Sequence, residues 1–401
     1  MRSRTIPRGT QQWLDAELAQ WHAEGLVDER AAEEIRARYV AAPSRSSRSI
    51  LGRILLGIGG TFLGIGLIWL VAANLDALAP GVRFGVVLAL WLAALVAPEV
   101  LAARGHSRAL VGSLRLVAAL AFGAVIFQAA QSLQVPAYEP RLVGLWAAGA
   151  LLHAVALRAV TAQLVGIAAG SLWWLWQPWS GDWSGPDLVL SMVLAAVLAV
   201  SVAAILDRYD RTLGGVWRIA GVAFTLCALF AAAIPGIDLT DAHGGFWLLL
   251  YAVAAGLALA LGLTLGSKIA RLEITGTVVV GLLALGMLAW ETTSVADVAQ
   301  LQTQDWLHAA ASVLAYVLVA TALTALGVIR SNNWITGLAM TGLIVFTTFQ
   351  SFAVFAPIVT GAWLFVMLGV ILLGTGIGVE GARRRLAHSL ADETSAWEGD
   401  L

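Results

Sequence analysis

The feature that most constrains this chain is a succession of twelve apolar segments that begins at residue 50. Each has roughly the 18 to 25 residues that an α-helix needs to cross the hydrocarbon core of a bilayer. The segments span residues 50–73, 81–103, 109–133, 141–158, 160–177, 187–206, 216–234, 244–266, 270–290, 306–328, 332–353 and 357–379. We therefore expect an all-α, polytopic integral membrane protein with about twelve transmembrane helices.

Composition agrees with a membrane protein and excludes several other classes. Hydrophobic residues make up 59% of the 401 residues and charged residues only 12%, against about 25% charged residues in soluble domains. The single Cys227 permits neither a disulfide framework nor a thiolate metal site. Neither a basic nucleic-acid surface nor a hydrolase, metalloenzyme or cofactor motif is present. We expect no nucleic-acid partner, no cofactor and no enzyme activity.

The first 43 residues predict a small helical hairpin. An apolar stripe recurs at helical spacing through Leu14, Leu18 and Trp21. Gly25 is placed to end the first helix in a left-handed conformation, and Asp28 is placed to cap the second. Residues 44–49 form a basic linker before the transmembrane domain of residues 50–380, and residues 381–401 form a tail. Residues 10–40 either bind the membrane domain or a cytoplasmic partner, or serve only as a solubilising leader.

Basic residues indicate the orientation of the chain in the membrane. If the N-terminus is cytoplasmic and the twelve segments alternate, 22 of the 24 basic residues lie on the cytoplasmic side, and only Arg83 and Arg141 lie outside. This asymmetry follows the positive-inside rule. We expect both termini in the cytoplasm of a bacterial inner membrane.

Three stretches resemble a known family. They are the hairpin "WHAEGLVDERAAEEIRARY", the segment "GIGLIWLVAANLDALAPGVRFG" and the third apolar segment "FGAVIFQAAQSL". Together they are similar to a bacterial family of predicted membrane proteins, domain of unknown function 2157, over roughly residues 10 to 175. The resemblance implies a polytopic membrane protein with a cytoplasmic N-terminal segment, and it implies no reaction.

A short pattern recurs at the outer ends of four segments. Each segment follows a basic residue and ends, 19 or 20 residues later, in an aromatic residue followed by Gln or Glu. The pairs are Phe127-Gln128, Trp176-Gln177, Trp290-Glu291 and Phe349-Gln350. Two six-helix halves would explain this recurrence. The alternative is that any membrane helix with interfacial end residues shows it.

Few ionisable residues lie inside the apolar segments. Glu99, Arg115 and His153 stand five to seven residues inward from basic cytoplasmic ends, so they share a depth. We expect one buried polar network, because ionisable groups inside a membrane are costly and are commonly functional. The alternative is a structural ion pair near the membrane edge.

Tryptophans concentrate at the predicted outer face, where 11 of the 17 lie. Amide side chains accompany them, and such a surface suits sugars, amphiphiles or lipid head groups. The candidate binding residues are Gln128, Gln131, Trp173, Trp176, Gln177, Trp290, Glu291 and Gln350. The alternative for the tryptophans is interfacial anchoring. His243 and His308 are weak metal candidates beside outer-face acids, as solvated loops also collect such residues.

Three functional hypotheses follow, with membrane lipids as expected partners in each. The first is a carrier or flippase-like protein for an amphipathic or glycan- or lipid-type envelope molecule. The second is a non-transporting sensor or scaffold whose N-terminal hairpin binds a cytoplasmic protein. The third, an intramembrane enzyme acting on a lipid-linked substrate, is weakest because the outer face offers no convincing general base.

Overall fold

The computed structural model describes residues 4–6, 8–41, 47–74, 79–136, 138–179, 184–290, 292, 303–350 and five positions between 366 and 374. Within these ranges the apolar region is helical, as the sequence predicts. The eleven helices of this region are α3 (Ser47–Asn74), α4 (Pro80–Ala103), α5 (Arg108–Ser132), α6 (Pro140–Leu157), α7 (Val160–Trp179), α8 (Gly185–Leu206), α9 (Arg211–Ala232), α10 (Phe246–Leu265), α11 (Lys268–Leu288), α12 (Thr303–Ile329) and α13 (Asn333–Gln350).

Each of the first eleven predicted segments overlaps one of these helices. Eight helices of the described part are long and apolar enough to cross a bilayer, namely α4, α5, α6, α8, α9, α10, α11 and α12. The twelfth segment, 357–379, lies mostly outside the described residues, as does the tail 381–401. A multi-pass membrane protein is therefore confirmed, and the count of twelve stays a prediction.

The N-terminal residues form the predicted helix pair, α1 (Arg8–Ala23) and α2 (Glu29–Arg38). Gly25 has a φ of 72° at the end of α1, and the Asp28 side chain caps α2 by accepting from the Ala31 N–H at 2.7 Å. Both local predictions are confirmed. The sequence did not predict two three-residue parallel strands, β1 (Arg4–Ile6) and β2 (Tyr39–Ala41), which flank the pair.

The membrane helices pack as two groups. The first group is α3–α7, centred on α5, and the second is α8–α13, in which α8 packs on α9, α10 and α11. Helix α7 joins them through contacts with α8, α9 and α10. If the protein consisted of two six-helix halves, α8 would belong to the first half. In the structure α8 packs instead with the second group. Two six-helix halves therefore remain unconfirmed.

Close helix approach depends on glycine at several contacts. A Cβ on Gly60 would lie 3.0 Å from the Ser113 carbonyl oxygen, and one on Gly262 would lie 2.9 Å from Ile274 Cδ1. One on Gly166 would lie 2.7 Å from the side chain of Leu151. Each of these glycines belongs to a Gly-x-x-x-Gly pair, a spacing that allows neighbouring helices to approach closely; the pairs are Gly60 with Gly64, Gly166 with Gly170, and Gly262 with Gly266.

The bundle has two chemically different ends. One end, called here the arginine end, holds the turns after α4, α6, α8, α10 and α12; there the Arg158 guanidinium lies 4.5 Å from the ring centre of Tyr209. At the opposite end, called here the tryptophan end, the Trp174 and Tyr251 rings stack with centres 3.7 Å apart. Each of these two contacts joins a residue of the first group to a residue of the second, so the two groups are in contact at both ends of the bundle.

Candidate functional site

A lateral groove of about 720 Å³ opens between α4 and α6. Trp91, Leu95 and Val96 of α4, Ala119 and Phe122 of α5, and Gly149, Leu152 and His153 of α6 contribute to its walls. Its volume lies within the range of about 300–1,000 Å³ that is typical of ligand sites. Apolar side chains beside the opening face outward: Leu152 is 72% exposed and Val96 56%. The groove thus opens sideways, towards the position of membrane lipid.

An ion pair lies at the end of this groove nearest the arginine end. Arg115 donates from Nε and Nη2 to the two carboxylate oxygens of Glu99, each at 2.8 Å. Its Nη1 donates to the Leu157 carbonyl oxygen at 3.3 Å. The geometry is bidentate, which is among the stronger forms of charge-assisted hydrogen bonding. The Glu99 side chain keeps 36% of its surface exposed and Arg115 19%, so the pair is only partly enclosed.

Helix ends position these three groups. Glu99 lies four residues before the end of α4, Arg115 lies seven residues after the start of α5, and Leu157 is the last residue of α6. Glu99 and Arg115 are thus about one and two turns from the same end of the bundle, and the long Arg115 side chain reaches the Leu157 carbonyl oxygen at that end. Ser107 fixes the start of α5 by accepting from the Leu110 N–H at 3.3 Å.

Two further polar groups line the groove without a hydrogen-bond partner among the described residues. They are His153 Nε2 and Trp91 Nε1, both shielded from solvent. The structure therefore brings Glu99 and Arg115 together and places His153 on the same cavity wall. Trp91 was not among the candidates from the sequence. Its ring packs on Phe122 with centres 5.2 Å apart.

The tryptophan end of the first group is packed rather than open. Trp173 and Trp176 pack with Phe127 around the small residues Val143, Ala147 and Ala169. Trp173 Nε1 donates to Gln177 Oε1 at 3.2 Å. Trp174 is 7% exposed and donates to the Ser191 carbonyl oxygen of α8 at 3.0 Å. Trp173, Trp174 and Trp176 therefore hold α7 against its neighbours.

Residues 19–163 match the model of the family described as predicted membrane protein (DUF2157). The resemblance found in the sequence is confirmed over this region. No curated protein and no solved structure matches the chain.

The DUF2157 region runs from α1 into the start of α7. It includes Glu99, Arg115 and His153 and all of the groove between α4 and α6. The second group of helices lies outside it. The candidate site is thus a property of the DUF2157 region alone.

The predicted Trp and Gln binding residues lie on both groups. Gln128, Trp173, Trp176 and Gln177 belong to the first group, while Trp290 and Gln350 belong to the second. Gln128 and Gln350 are each 2% exposed and Gln177 5%, whereas Gln131 is exposed. Glu291 lies outside the described residues. Among the described members of this set, Trp173 lines a smaller lateral cavity of about 210 Å³ between α6, α7, α8 and α9.

The histidines named as weak metal candidates stand apart from one another. The His243 side chain is 63% exposed, with Nδ1 4.0 Å from Asp187. His308 is 2% exposed and lies against Trp290, with ring centres 5.8 Å apart. Among the described residues no group of three or more His, Cys, Asp and Glu side chains is arranged to hold a metal ion.

Sequence reasoning missed a buried charge network at the arginine end of the second group. Arg218 donates from Nη2 to Asp207 Oδ2 at 2.6 Å and from Nε to Glu273 Oε2 at 3.0 Å. Arg330 donates from Nε to Glu273 Oε1 at 2.6 Å. The Arg218 and Glu273 side chains are only 6% and 4% exposed. The sequence does place two acids, Asp207 and Glu273, near the same helix ends as Arg218 and Arg330. The two arginines were used there only to predict the orientation of the chain in the membrane.

Proposed function

We propose that this membrane protein is a carrier or flippase-like protein for an amphipathic envelope molecule of glycan or lipid type. The observation that supports this best is the groove between α4 and α6. It combines an apolar body, a sideways opening and charged groups at one end. An amphipathic molecule has the same division, because its tail favours hydrocarbon and its head group requires polar partners.

The proposal includes the orientation and the location. The arginine end faces the cytoplasm of a bacterial inner membrane, and both termini lie on that side, as the distribution of basic residues favours. The groove then opens into the cytoplasmic leaflet, where the molecule enters. The tryptophan end faces outward, where the exposed side chains of Gln131 and Trp290 contact the molecule as it leaves.

Lipid movement in proteoliposomes tests the carrier. The full chain is reconstituted with a fluorescent phospholipid, and dithionite reports how much lipid reaches the outer leaflet. Ala156, which lines the groove, is replaced by Trp to fill the groove. The control is Ala252→Trp, an equal change at an exposed alanine of α10. We expect Ala156→Trp to reduce lipid movement to the rate of empty vesicles and Ala252→Trp to leave it unchanged. Equal rates in both variants would overturn the proposal.

The second candidate, a sensor or scaffold that uses the N-terminal hairpin, is favoured by one observation. The hairpin has contacts of its own: Arg36 Nε lies 2.9 Å from Asp15 Oδ1, and Leu18 is 1% exposed. Leu26 remains 70% exposed at the turn. Deleting residues 1–43 separates the two functions. A carrier keeps lipid movement in vesicles after the deletion, whereas for a scaffold even the intact chain moves no lipid.

A further inference from the structure

We propose that the groove between α4 and α6 binds an anionic phospholipid, with one acyl chain in the groove and the phosphate at an arginine rim. The rim is defined as Arg104, His106 and Arg108, the residues of the α4–α5 turn. This inference deepens the proposed function by naming the head group. It concerns binding, so it is tested separately from transport.

The charges at the groove favour an anion. Glu99 is the acid that lines the groove, and its charge is compensated by the bidentate contact with Arg115. Arg104 directly follows the groove-lining residue Ala103, and Arg108 begins α5 four residues later. Both arginines are exposed, and neither forms an ion pair within the described part of the chain. Two arginines without an ion-pair partner among the described residues therefore lie at the ends of α4 and α5, the helices whose side chains Ala103 and Ala119 line the groove.

The depth of His153 fits the glycerol ester region of such a lipid. His153 lies one helical turn inward from Leu157, which is about 6 Å along α6. Its shielded Nε2 has no partner among the described residues. Once a rotation of the imidazole side chain brings Nε2 to the surface of the groove, the neutral tautomer with the proton on Nε2 can donate a hydrogen bond to an ester carbonyl. The phosphate then lies at the rim and the acyl chain extends towards Trp91 and Phe122.

The acyl chain has an apolar path beyond this point. Leu95, Val96 and Leu152 border the groove, and Phe122 passes so close to Gly149 that no larger residue fits there without movement. Trp91 lies eight residues before Glu99 on α4, about 12 Å deeper in the membrane. A single chain is thus accommodated from the rim to the middle of the bilayer.

Native mass spectrometry of the full chain in detergent tests the head group. Phosphatidylglycerol is titrated against phosphatidylethanolamine with the same acyl chains, and glycerol phosphate alone serves as the free-anion probe. We expect tighter binding of phosphatidylglycerol, and no retention of glycerol phosphate. Equal binding of the two lipids, or retention of glycerol phosphate without a chain, would overturn the inference.

Two double variants locate the site. Arg104→Gln with Arg108→Gln removes the rim, while Arg208→Gln with Arg211→Gln removes two exposed arginines from the α8–α9 turn at the same end. An arginine near an anionic head group contributes about five-fold in affinity, so the rim variant is expected to lose about 25-fold for phosphatidylglycerol. The control variant should change less than about two-fold, and phosphatidylethanolamine binding should be similar in both. Equal losses in the two variants would indicate unspecific attraction and refute the site.

The two proposals fail in different ways. If Ala156→Trp stops lipid movement while the two phospholipids bind equally, the carrier stands and the anionic head group is wrong. If phosphatidylglycerol binds selectively at the rim but no lipid moves in vesicles, the site stands and the carrier is wrong. Thermal unfolding of each variant in detergent confirms that the fold is retained, and a second pair, Arg104→Lys with Arg108→Lys, should restore selectivity.

Discussion

Each helix group has an arginine seven residues after the start of one of its helices, and the two arginines have different surroundings. Arg115 lies seven residues after Arg108 at the start of α5, and Arg218 lies seven residues after Arg211 at the start of α9. Arg115 contacts one carboxylate beside a groove of about 720 Å³. Arg218 contacts two carboxylates, Asp207 and Glu273, and Arg330 lies 2.6 Å from Glu273 and 4.0 Å from Asp207.

The different surroundings of the two arginines indicate different roles: the first group presents a binding surface, whereas the second contains a charge network that stabilises the fold. In the second group two acids and two arginines compensate one another where four helices meet, so that network joins α8, α9, α11 and α12. In the first group one acid and one arginine leave a partly exposed carboxylate at the side of a cavity. Buried charge networks depend strongly on each member, while partly exposed pairs depend less on theirs. We therefore infer that the second group is the rigid part.

The largest expected effect is loss of stability when the network loses an acid. Glu273→Gln leaves Arg218 and Arg330 with only Asp207 as an anionic partner, and Arg330 Nη1 lies 4.0 Å from it. We expect a loss of about 3–5 kcal/mol in the free energy of unfolding, because a buried positive charge is left uncompensated. Chemical denaturation in detergent micelles, followed by tryptophan fluorescence, measures it.

Glu99→Gln is the matched control in the first group. We expect it to lose only about 1–2 kcal/mol, since the pair with Arg115 is partly solvated and one hydrogen bond survives. If Glu273→Gln and Glu99→Gln lose comparable free energy of unfolding, the second group is not stabilised more strongly by its charges than the first.

The sequence predicts local features well and long-range ones poorly. Gly25 and Asp28 were predicted correctly because a helix cap depends on neighbouring residues. The common depth of Glu99 and Arg115 was predictable because it follows from distance to a helix end. The Arg218–Glu273 contact joins residues 55 apart in the chain, and it requires knowing that α9 and α11 are neighbours. Apolar periodicity does not carry that information, and it likewise did not predict that α8 packs with α9, α10 and α11.

Substitutions at two adjacent glycines of α9 should have an intermediate effect on the free energy of unfolding. A Cβ on Gly214 would collide with Asp207 Oδ1 and lie 2.9 Å from the Ala203 carbonyl oxygen, while one on Gly215 meets nothing within 4 Å. Gly214→Ala should therefore displace Asp207 from Arg218 and cost about 1–3 kcal/mol. Gly215→Ala should be neutral or stabilise the helix by up to about 1 kcal/mol.

The same denaturation experiment compares both glycine variants. If Gly214→Ala is as stable as Gly215→Ala, the charge network does not hold Asp207 in place. The second group is then less rigid than the contacts of Arg218 indicate. If Gly214→Ala is destabilised and Glu273→Gln adds little further loss in the double variant, the two changes act on one network.

The smallest effect concerns the helix caps of the two aligned arginine helices. Asp210 caps α9 by accepting from the Thr212 N–H at 2.7 Å, and Ser107 caps α5 by accepting from the Leu110 N–H at 3.3 Å. Asp210→Ala and Ser107→Ala should each cost about 1 kcal/mol at pH 7. Only the aspartate cap should depend on pH.

The sign follows from the carboxylate. The hydrogen bond from the Thr212 N–H holds the pKa of Asp210 below its usual range, with the nearby Arg158 acting in the same direction. Its stabilisation is therefore complete above the unfolded pKa of about 3.9 and is lost as pH falls through the lower folded pKa. The difference in Tm between the parent and Asp210→Ala should shrink below about pH 4, while that for Ser107→Ala stays constant. A pH-independent difference at both caps would mean that the Asp210 charge does not stabilise α9, and that the two arginine helices begin in equivalent ways.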